Sequence, residues 1–201
     1  RKAVSMIVGR DPETLDEAGV SRAAIESLAE NSSDGVIAPA FWLLIAGLPG
    51  LFAYKMLNTA DSMIGHMNDK YRDFGRASAK IDDAANWIPA RLTGLMLVMA
   101  GGLIQGSGKA VEAFGTMLRD ARLHRSPNAG WPESAMGALT GLALAGPRFY
   151  HGDIANEPML NAAGRREAGP GDIDKAVSIT SAMFWLATGL AGAIALAVAA
   201  R

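Results

Sequence analysis

The feature that most constrains this chain is an uncharged run of 25 residues, 176–200, set between Lys175 and Arg201. At about 1.5 Å per helical residue, roughly 20 apolar residues cross the hydrocarbon core of a bilayer. A soluble helix of that length keeps a polar face, and this run offers none apart from scattered Ser and Thr, so it reads as a membrane span. The alternative is a central helix of a soluble protein. Residues 36–54 and 92–108 approach membrane length without a charge. The first of these holds Pro39 and the sequence Gly47-Leu48-Pro49-Gly50. Proline removes a backbone donor and clashes one turn back, and broken backbone at membrane depth survives only where protein or water satisfies it. A full crossing and a re-entrant hairpin both remain open for 36–54; the hairpin would put its two polar flanks on one side of the membrane.

Composition supports the same class. Half of the residues are hydrophobic and 19% are charged, against about a quarter in soluble domains, and the charges crowd into the segments between the apolar runs. The formal net charge of −1 provides no basic field for nucleic acid. The absence of cysteine removes disulfides, zinc–thiolate sites and cysteine nucleophiles together. Lysine and arginine occur in every connecting segment, so the positive-inside bias gives no orientation. The chain opens on Arg1 and reads as a portion of a longer protein. Asp11-Pro12 has the form of a helix start, a helix is expected from about Ser21, and 147–170 should be mostly loop. Val111, Phe114 and Leu118 recur at helical spacing with Arg119, Arg122 and Arg125 opposite, the pattern of a helix lying at an interface. The expected fold class is all-α: a multi-pass integral membrane protein, one domain over 1–201, with amphipathic interfacial helices and polar loops.

Four polar clusters adjoin the apolar runs. Glu26, Glu30 and Asp34 recur every four residues beside Asn31, stacking like charges that a cation would neutralise and that bulk water would otherwise screen. Asn58 and Asp61 share a helical face, with Asn68 and Asp69 following; such oxygen ligands suit Mg²⁺. Asp82, Asp83, Asn86 and Arg91 precede the second apolar run, and Arg91 either holds a phosphate or carboxylate or snorkels to the interface. His124, Arg125, Asn128, Trp131 and Glu133 fall in a segment with two prolines and a glycine, where His124 is a candidate acid or base or a plain surface residue. The segment GLIQGSGKA fails as a phosphate-binding loop because the first glycine is one residue too distant and Ala110 replaces Ser or Thr. His66, His124 and His151 have no zinc-site spacing.

Taken in order, the strings RAAIESLAENSSDGVIAPAFW, NTADSMIG, DDAANWIPARLT and SPNAGWPESAMG resemble the adenosylcobinamide-phosphate synthase family (CobD/CbiB) of cobalamin synthesis. The similarity runs over about 9–150, with GDIDKA and the last apolar helix less specific. The resemblance implies a cell (inner) membrane enzyme, the present chain being its C-terminal two thirds, that joins aminopropanol or its O-phosphate to adenosylcobyric acid through an amide to a corrin propionate. It implies dependence on ATP and Mg²⁺, a cytosolic active site, and contact with the bilayer and other corrinoid-pathway proteins; nucleic acid is not an expected partner. His66 stands where an aromatic is expected, so no role is carried over to it.

This chemistry assigns candidate roles. A carboxylate resists an amine until one oxygen becomes a leaving group, for instance as an acyl phosphate, and phosphoryl transfer asks mainly for positioning and charge neutralisation. Asp34, Asp61, Asp82 and Asp83 are then partners of Mg²⁺ or the amine, with Asp34, Asp61 and Asp82 as the candidate metal ligands. Arg91 and Arg125 hold phosphate, Asn31, Asn58, Asn86 and Asn128 hydrogen-bond substrate, and Glu30 or Glu133 takes the ammonium proton. Trp87 and Trp131 pack against the corrin or anchor at the interface. The rivals are a membrane prenyl- or phospho-alcohol transferase, whose Asp-rich repeats have a different spacing, and a transport or assembly subunit without catalysis.

Overall fold

A computed structural model describes residues 2, 4–6, 15–64, 72–150, 153–155 and 157–200. Its helices are α1 (Glu17–Ser32), α2 (Ala38–Ile64), α3 (Arg72–Gln105), α4 (Ser107–Asp120), α5 (Gly130–Thr140) and α6 (Pro170–Ala199). Asp16 starts α1, its Oδ1 accepting the Gly19 amide at 2.6 Å, which satisfies one of the donors left open at a helix start. The Asp11-Pro12 start expected from sequence lies outside the described residues. From α1 the chain passes through a π-helical turn, Ser33–Ile37, straight into α2. Glu26 leaves the expected carboxylate stack: it is buried, and its Oε1 accepts the Ala145 amide at 2.8 Å.

Over 36–54 the backbone bends into a hairpin. Within α2, Gly47 has φ 62° and ψ −157°, outside the helical basin. The Tyr54 hydroxyl lies 3.0 Å from the Asp34 carbonyl oxygen, although twenty intervening steps of straight helix would separate them by about 30 Å. Close to the bend, a Cβ on Gly50 would lie 2.6 Å from the Trp42 carbonyl oxygen, so only glycine lets the arms approach. Leu44, Ile45, Leu48 and Phe52 around the bend are exposed apolar side chains. The first arm is tied to α3 by the Trp42 indole, which donates to the Ala85 carbonyl at 3.1 Å.

The third and second apolar runs behave differently. In α6, Trp185, Leu190, Ile194, Leu196 and Val198 toward the C-terminal end are all exposed, whereas Ala176, Ile179 and Met183 of its N-terminal part are buried. The run 92–108 instead ends the longer α3, which packs on α2, α4, α5 and α6. Leu97 and Ala100 of α3 meet Met117 of α4, Met136 and Leu139 of α5 and Met183 of α6 in the buried core. Three helical stretches, Glu17–Met63, Gly75–Gln105 and Pro170–Ala199, are long and apolar enough to cross a membrane. The first of these contains the Gly47 bend.

Two expectations need correction. The segment 147–170 is mostly loop, as expected, but it carries short strands, so the fold, though mostly helical, is not purely so. Strand β1 (Leu144–Ala145) pairs antiparallel with β4 (Met159–Leu160), and β2 (Arg148–Tyr150) with β3 (Asp153–Ala155). Strands of two or three residues are too short to write an alternation into the sequence. The end of β4 is held where the Asp120 carboxylate accepts the Asn161 amide at 2.8 Å. The second correction concerns the arginine face of the interfacial helix. α4 stops at Asp120, so Arg122 sits in a 3₁₀ turn (Ala121–Leu123) and Arg125 in the loop beyond. Val111, Phe114 and Leu118 do form an exposed apolar stripe on α4.

Candidate active site

The hairpin brings three of the sequence clusters to one place. Its first arm follows Asp34, its second carries Asn58 and Asp61, and α3 presents Asp82, Asp83 and Asn86 between them. Asn86 Nδ2 donates to Asp82 Oδ2 at 2.9 Å, and the Tyr54 hydroxyl reaches Asn86 Oδ1 at 2.9 Å as well as the Asp34 carbonyl. Asp34, Asp61 and Asp82 lie within coulombic reach of one another, Asp83 within reach of Asp61, and the Asn58 amide beside Asp82. Asp82 is buried, and its Oδ1 accepts no hydrogen bond. A buried carboxylate oxygen without a donor, among like charges, is destabilising unless a cation or a donor is supplied from outside the fold.

Tyr54 is a residue that sequence reasoning missed, since it stood merely at the end of an apolar run. It joins both arms of the hairpin to α3 through one hydroxyl and is almost fully buried, at 2% exposure. Tyr54→Phe removes that hydroxyl and with it the one proton shared between the Asn86 Oδ1 and Asp34 carbonyl acceptors. The expected result is a loss of about 1–3 kcal/mol of stability together with reduced turnover, read as a lower Tm and a lower rate in the same detergent-solubilised sample. A variant matching the parent in both would show that the hydroxyl does not fix the cluster.

Two turns further along α3 the charge reverses. The Arg91 guanidinium lies over the rings of Trp87 and Trp131, 3.9 Å and 4.5 Å from their centroids, and its Nη1 donates to the Trp87 carbonyl at 2.6 Å. With Arg122, His124, Arg125 and Trp131 it lines a pocket of about 290 Å³. The turn that carries Arg122 and His124 packs against the start of α5 at Gly130, where a Cβ would collide with the Ala121 carbonyl oxygen. His124 forms part of the wall of this pocket. Its Nδ1 accepts the Ser126 amide at 3.0 Å, and its Nε2 faces Glu133 Oε1 at 3.6 Å with both side chains buried. Arg125 Nε lies 3.5 Å from Glu157. The two halves of the site are joined by Asn128, whose Nδ2 donates to the Asp83 carbonyl at 2.9 Å and to its carboxylate at 3.3 Å.

The sequence-based candidates therefore divide. Asp34, Asp61, Asp82, Asp83, Asn58 and Asn86 form the acidic half, with the exposed Glu30 in coulombic reach of Asp34. Arg91 and Arg125 form the basic half, joined by Arg122, which the sequence offered only as one of several interfacial arginines. Asn31 turns back on its own helix, donating to the Ser27 carbonyl at 2.8 Å, and Glu133 is buried behind His124. Asn68, Asp69, His66 and His151 fall outside the described residues. No group of three or more acidic or histidine side chains is placed to hold a metal ion among the described residues.

A second concavity, about 560 Å³, opens between the hairpin and α3, lined by Trp42, Gly50, Tyr54, Leu57, Ile81 and Ala85. Its lining is apolar except for the Trp42 and Tyr54 polar tips, both already engaged.

Comparison with known proteins matches the arrangement to one family. The CobD/Cbib protein family profile matches residues 1–180. The cobalamin biosynthesis protein CobD of Brucella anthropi is 65% identical over 190 residues, covering 94% of this chain and 58% of that protein. The CobD of Rhizobium meliloti is 60% identical, covering 89% of this chain and 55% of the relative, and that of Rhodobacter capsulatus is 60% identical, covering 80% and 49%. The chain thus spans about half the length of the curated relatives it matches. No solved structure matches it. With nearly all of the chain inside the family profile and identity at this level across four fifths or more of its length, the chain belongs to the CobD/Cbib protein family.

Proposed function

We propose that this chain carries the reaction site of a membrane enzyme of cobalamin biosynthesis, which joins aminopropanol, as its O-phosphate, to adenosylcobyric acid through an amide bond. The relatives' names support the pathway. The observation that carries the finer reading is the pairing of a carboxylate-rich half with an arginine-lined half about two turns apart along α3, bridged by the contact of Asn128 with Asp83. An amine donor with an ammonium at one end and a phosphate at the other is complementary to that pairing.

In this reading the basic half takes the phosphate and the acidic half the ammonium. Asn58 and Asn86 fix the carboxylates, and Glu30, exposed and near Asp34, is better placed than the buried Glu133 to take the ammonium proton, since only the free amine attacks. ATP, the implied co-substrate, supplies the phosphoryl group that turns a propionate oxygen into a leaving group. Mg²⁺ fits the acidic half: Asp82 has a buried oxygen without a donor, and Asp34 and Asp61 stand near it. The absence of a three-ligand set suits an ion that is usually held by one or two carboxylates plus substrate phosphates. Of the three tentative ligands Asp34, Asp61 and Asp82, Asp82 with one of the other two would hold it, and it would supply neutralisation of phosphate charge. The membrane setting proposed is the cell (inner) membrane with the site open to the cytosol, where the hairpin keeps both of its polar flanks on one side.

The test is mass spectrometry of adenosylcobyric acid incubated with Mg²⁺, ATP, aminopropanol phosphate and membranes bearing the full-length protein. A mass gain of one amide-linked aminopropanol phosphate, lost when ATP is omitted, is the expected result. No gain with either the phosphate or free aminopropanol, from well-folded protein, would replace this reading with a transport or partner-subunit role.

A further inference from the structure

We infer that the apolar concavity between the hairpin and α3 is a site for an anionic phospholipid, with an acyl chain lying in the slot and the phosphate held just outside it by Lys80 and Arg76. This goes beyond the reaction proposed above. It takes from that reading only the membrane setting, and no residue assigned there to substrate, amine or metal holds the lipid.

Shape is the first argument. The second arm of the hairpin runs antiparallel to α3, because Tyr54 meets Asn86 and, one turn later, Asn58 meets Asp82. The slot beside this seam is lined by Gly50 and Ala53 toward the bend and by Leu57 and Ile81 toward the base of the hairpin. Gly50 and Leu57 are seven residues apart, about 10 Å of helix, so the slot is elongated along the arm. Its volume of about 560 Å³ lies within the range of about 300–1,000 Å³ typical of ligand sites. Gly50, Ala53, Ala84 and Ala85 leave it open, since none has a side chain long enough to close the gap between the helices. The polar tips of Trp42 and Tyr54 are both engaged. An alkyl chain asks for no hydrogen bond, and this lining offers none.

Charge is the second. Passing from Tyr54 to Asn58 follows α3 toward its N-terminus, so the base end of the slot faces the turns that carry Lys80 and Arg76. Arg76, Lys80 and the slot-lining Ala84 recur every four residues and form one ridge of α3. Both cations are exposed, and neither takes part in an ion pair among the described residues. Asp83, three residues after Lys80, is engaged by Asn128. Helical side chains lean toward the N-terminus of their helix, which sets these two heads beyond the base of the slot.

Polarity then selects the ligand. The bend end of the slot adjoins the exposed Leu44, Ile45 and Leu48, and the other end adjoins unpaired cations. An apolar slot graded in this way is complementary to an acyl chain that ends in an anionic headgroup. Any lipid tail satisfies the slot, because tails are as apolar as the side chains that line it. Discrimination between lipids therefore falls to Lys80 and Arg76, each giving about a 5-fold gain for an anionic headgroup at the membrane surface.

The experiment is native mass spectrometry of the full-length protein in mild detergent, titrated with dioleoyl phosphatidylglycerol and separately with dioleoyl phosphatidylcholine. The expected result is a phosphatidylglycerol site at which phosphatidylcholine binds about 30-fold more weakly. Lys80→Gln should weaken phosphatidylglycerol binding about 5-fold, and the double variant Arg76→Gln, Lys80→Gln about 30-fold, to the phosphatidylcholine level. Ala84→Trp, which fills the slot from an exposed position, should remove both lipids; should it fail to fold, the two charge variants decide the matter. Lys55→Gln, on a different face of the second arm beside Phe52 and Met56, should change nothing. Equal binding of the two lipids, or a preference that survives the double substitution, would overturn the headgroup assignment. Undiminished binding in a folded Ala84→Trp would overturn the slot, and an equal loss in Lys55→Gln would leave only general attraction of anionic lipid to cations. Displacement by soluble glycerol 3-phosphate at comparable concentration would make this a free-phosphate site instead of a lipid site. Absent lipid binding with amide formation intact overturns this inference alone; lipid binding as expected without amide product leaves the lipid site standing while the reaction reading falls.

Discussion

Asp82→Asn is expected to lower the rate of amide formation by about 10²- to 10³-fold while leaving the Tm of the full-length protein unchanged or higher. The side chain is 8% exposed and sits among Asp34, Asp61 and Asp83. A neutral isostere can keep its oxygen toward Asn86 Nδ2 while removing one of several clustered negative charges. The relief of like-charge repulsion is worth something on the order of 1 kcal/mol. Residues kept for the fold alone rarely show this combination, because a substitution that removes a structural interaction lowers stability. Paired measurements of turnover and thermal unfolding decide the matter. Loss of both together would make Asp82 a structural carboxylate; retention of turnover would remove it from the site.

The sequence was most informative where residues three or four apart share a helical face. Asp82 and Asn86 were placed together by spacing alone, and their side chains do hydrogen-bond. The apolar runs were legible because length and lack of charge are properties of a segment by itself. What spacing could not show were relations across the chain. Tyr54 became a member of the site only because the Gly47 bend returns it to Asp34, and a tyrosine closing an apolar run carries no local mark of that. Arg122 looked equivalent to Arg119 in sequence, yet Arg119 turns to Asp120 at 2.6 Å while Arg122 lines the pocket. Glu26 and Glu30 were likewise indistinguishable by spacing; one secures the backbone of β1 and the other remains near Asp34. Spacing also gave no sign that Glu133, a candidate acceptor of the ammonium proton, faces the buried His124.

The other large effect should come from a residue that touches no substrate. Gly47→Val is expected to destabilise the protein by about 1–3 kcal/mol and to remove most of the turnover. At φ 62° and ψ −157° the backbone occupies a region that essentially only glycine enters. A β-branched side chain adds to the clash, and Pro49 two residues later, its own φ fixed by its ring, limits how the chain can adjust. The strain is most easily relieved by opening α2 toward a straighter helix, which draws Tyr54 from Asn86 and Asp61 from Asp82. The acidic half would then be dismantled without any of its side chains being altered. Topology offers a readout independent of catalysis. In a single-cysteine background, Gly35→Cys and Ser62→Cys place thiols at exposed positions on the two flanks of the hairpin, and a membrane-impermeant reagent should label both from the same side. Labelling from opposite sides would mean that α2 crosses the bilayer, and a single-sided site containing Asp34, Asp61 and Asp82 could then not exist. If both label from one side but Gly47→Val retains full turnover, the bend is tolerant of strain and the hydrogen bonds of Tyr54 and Trp42, rather than the glycine, hold the arms together.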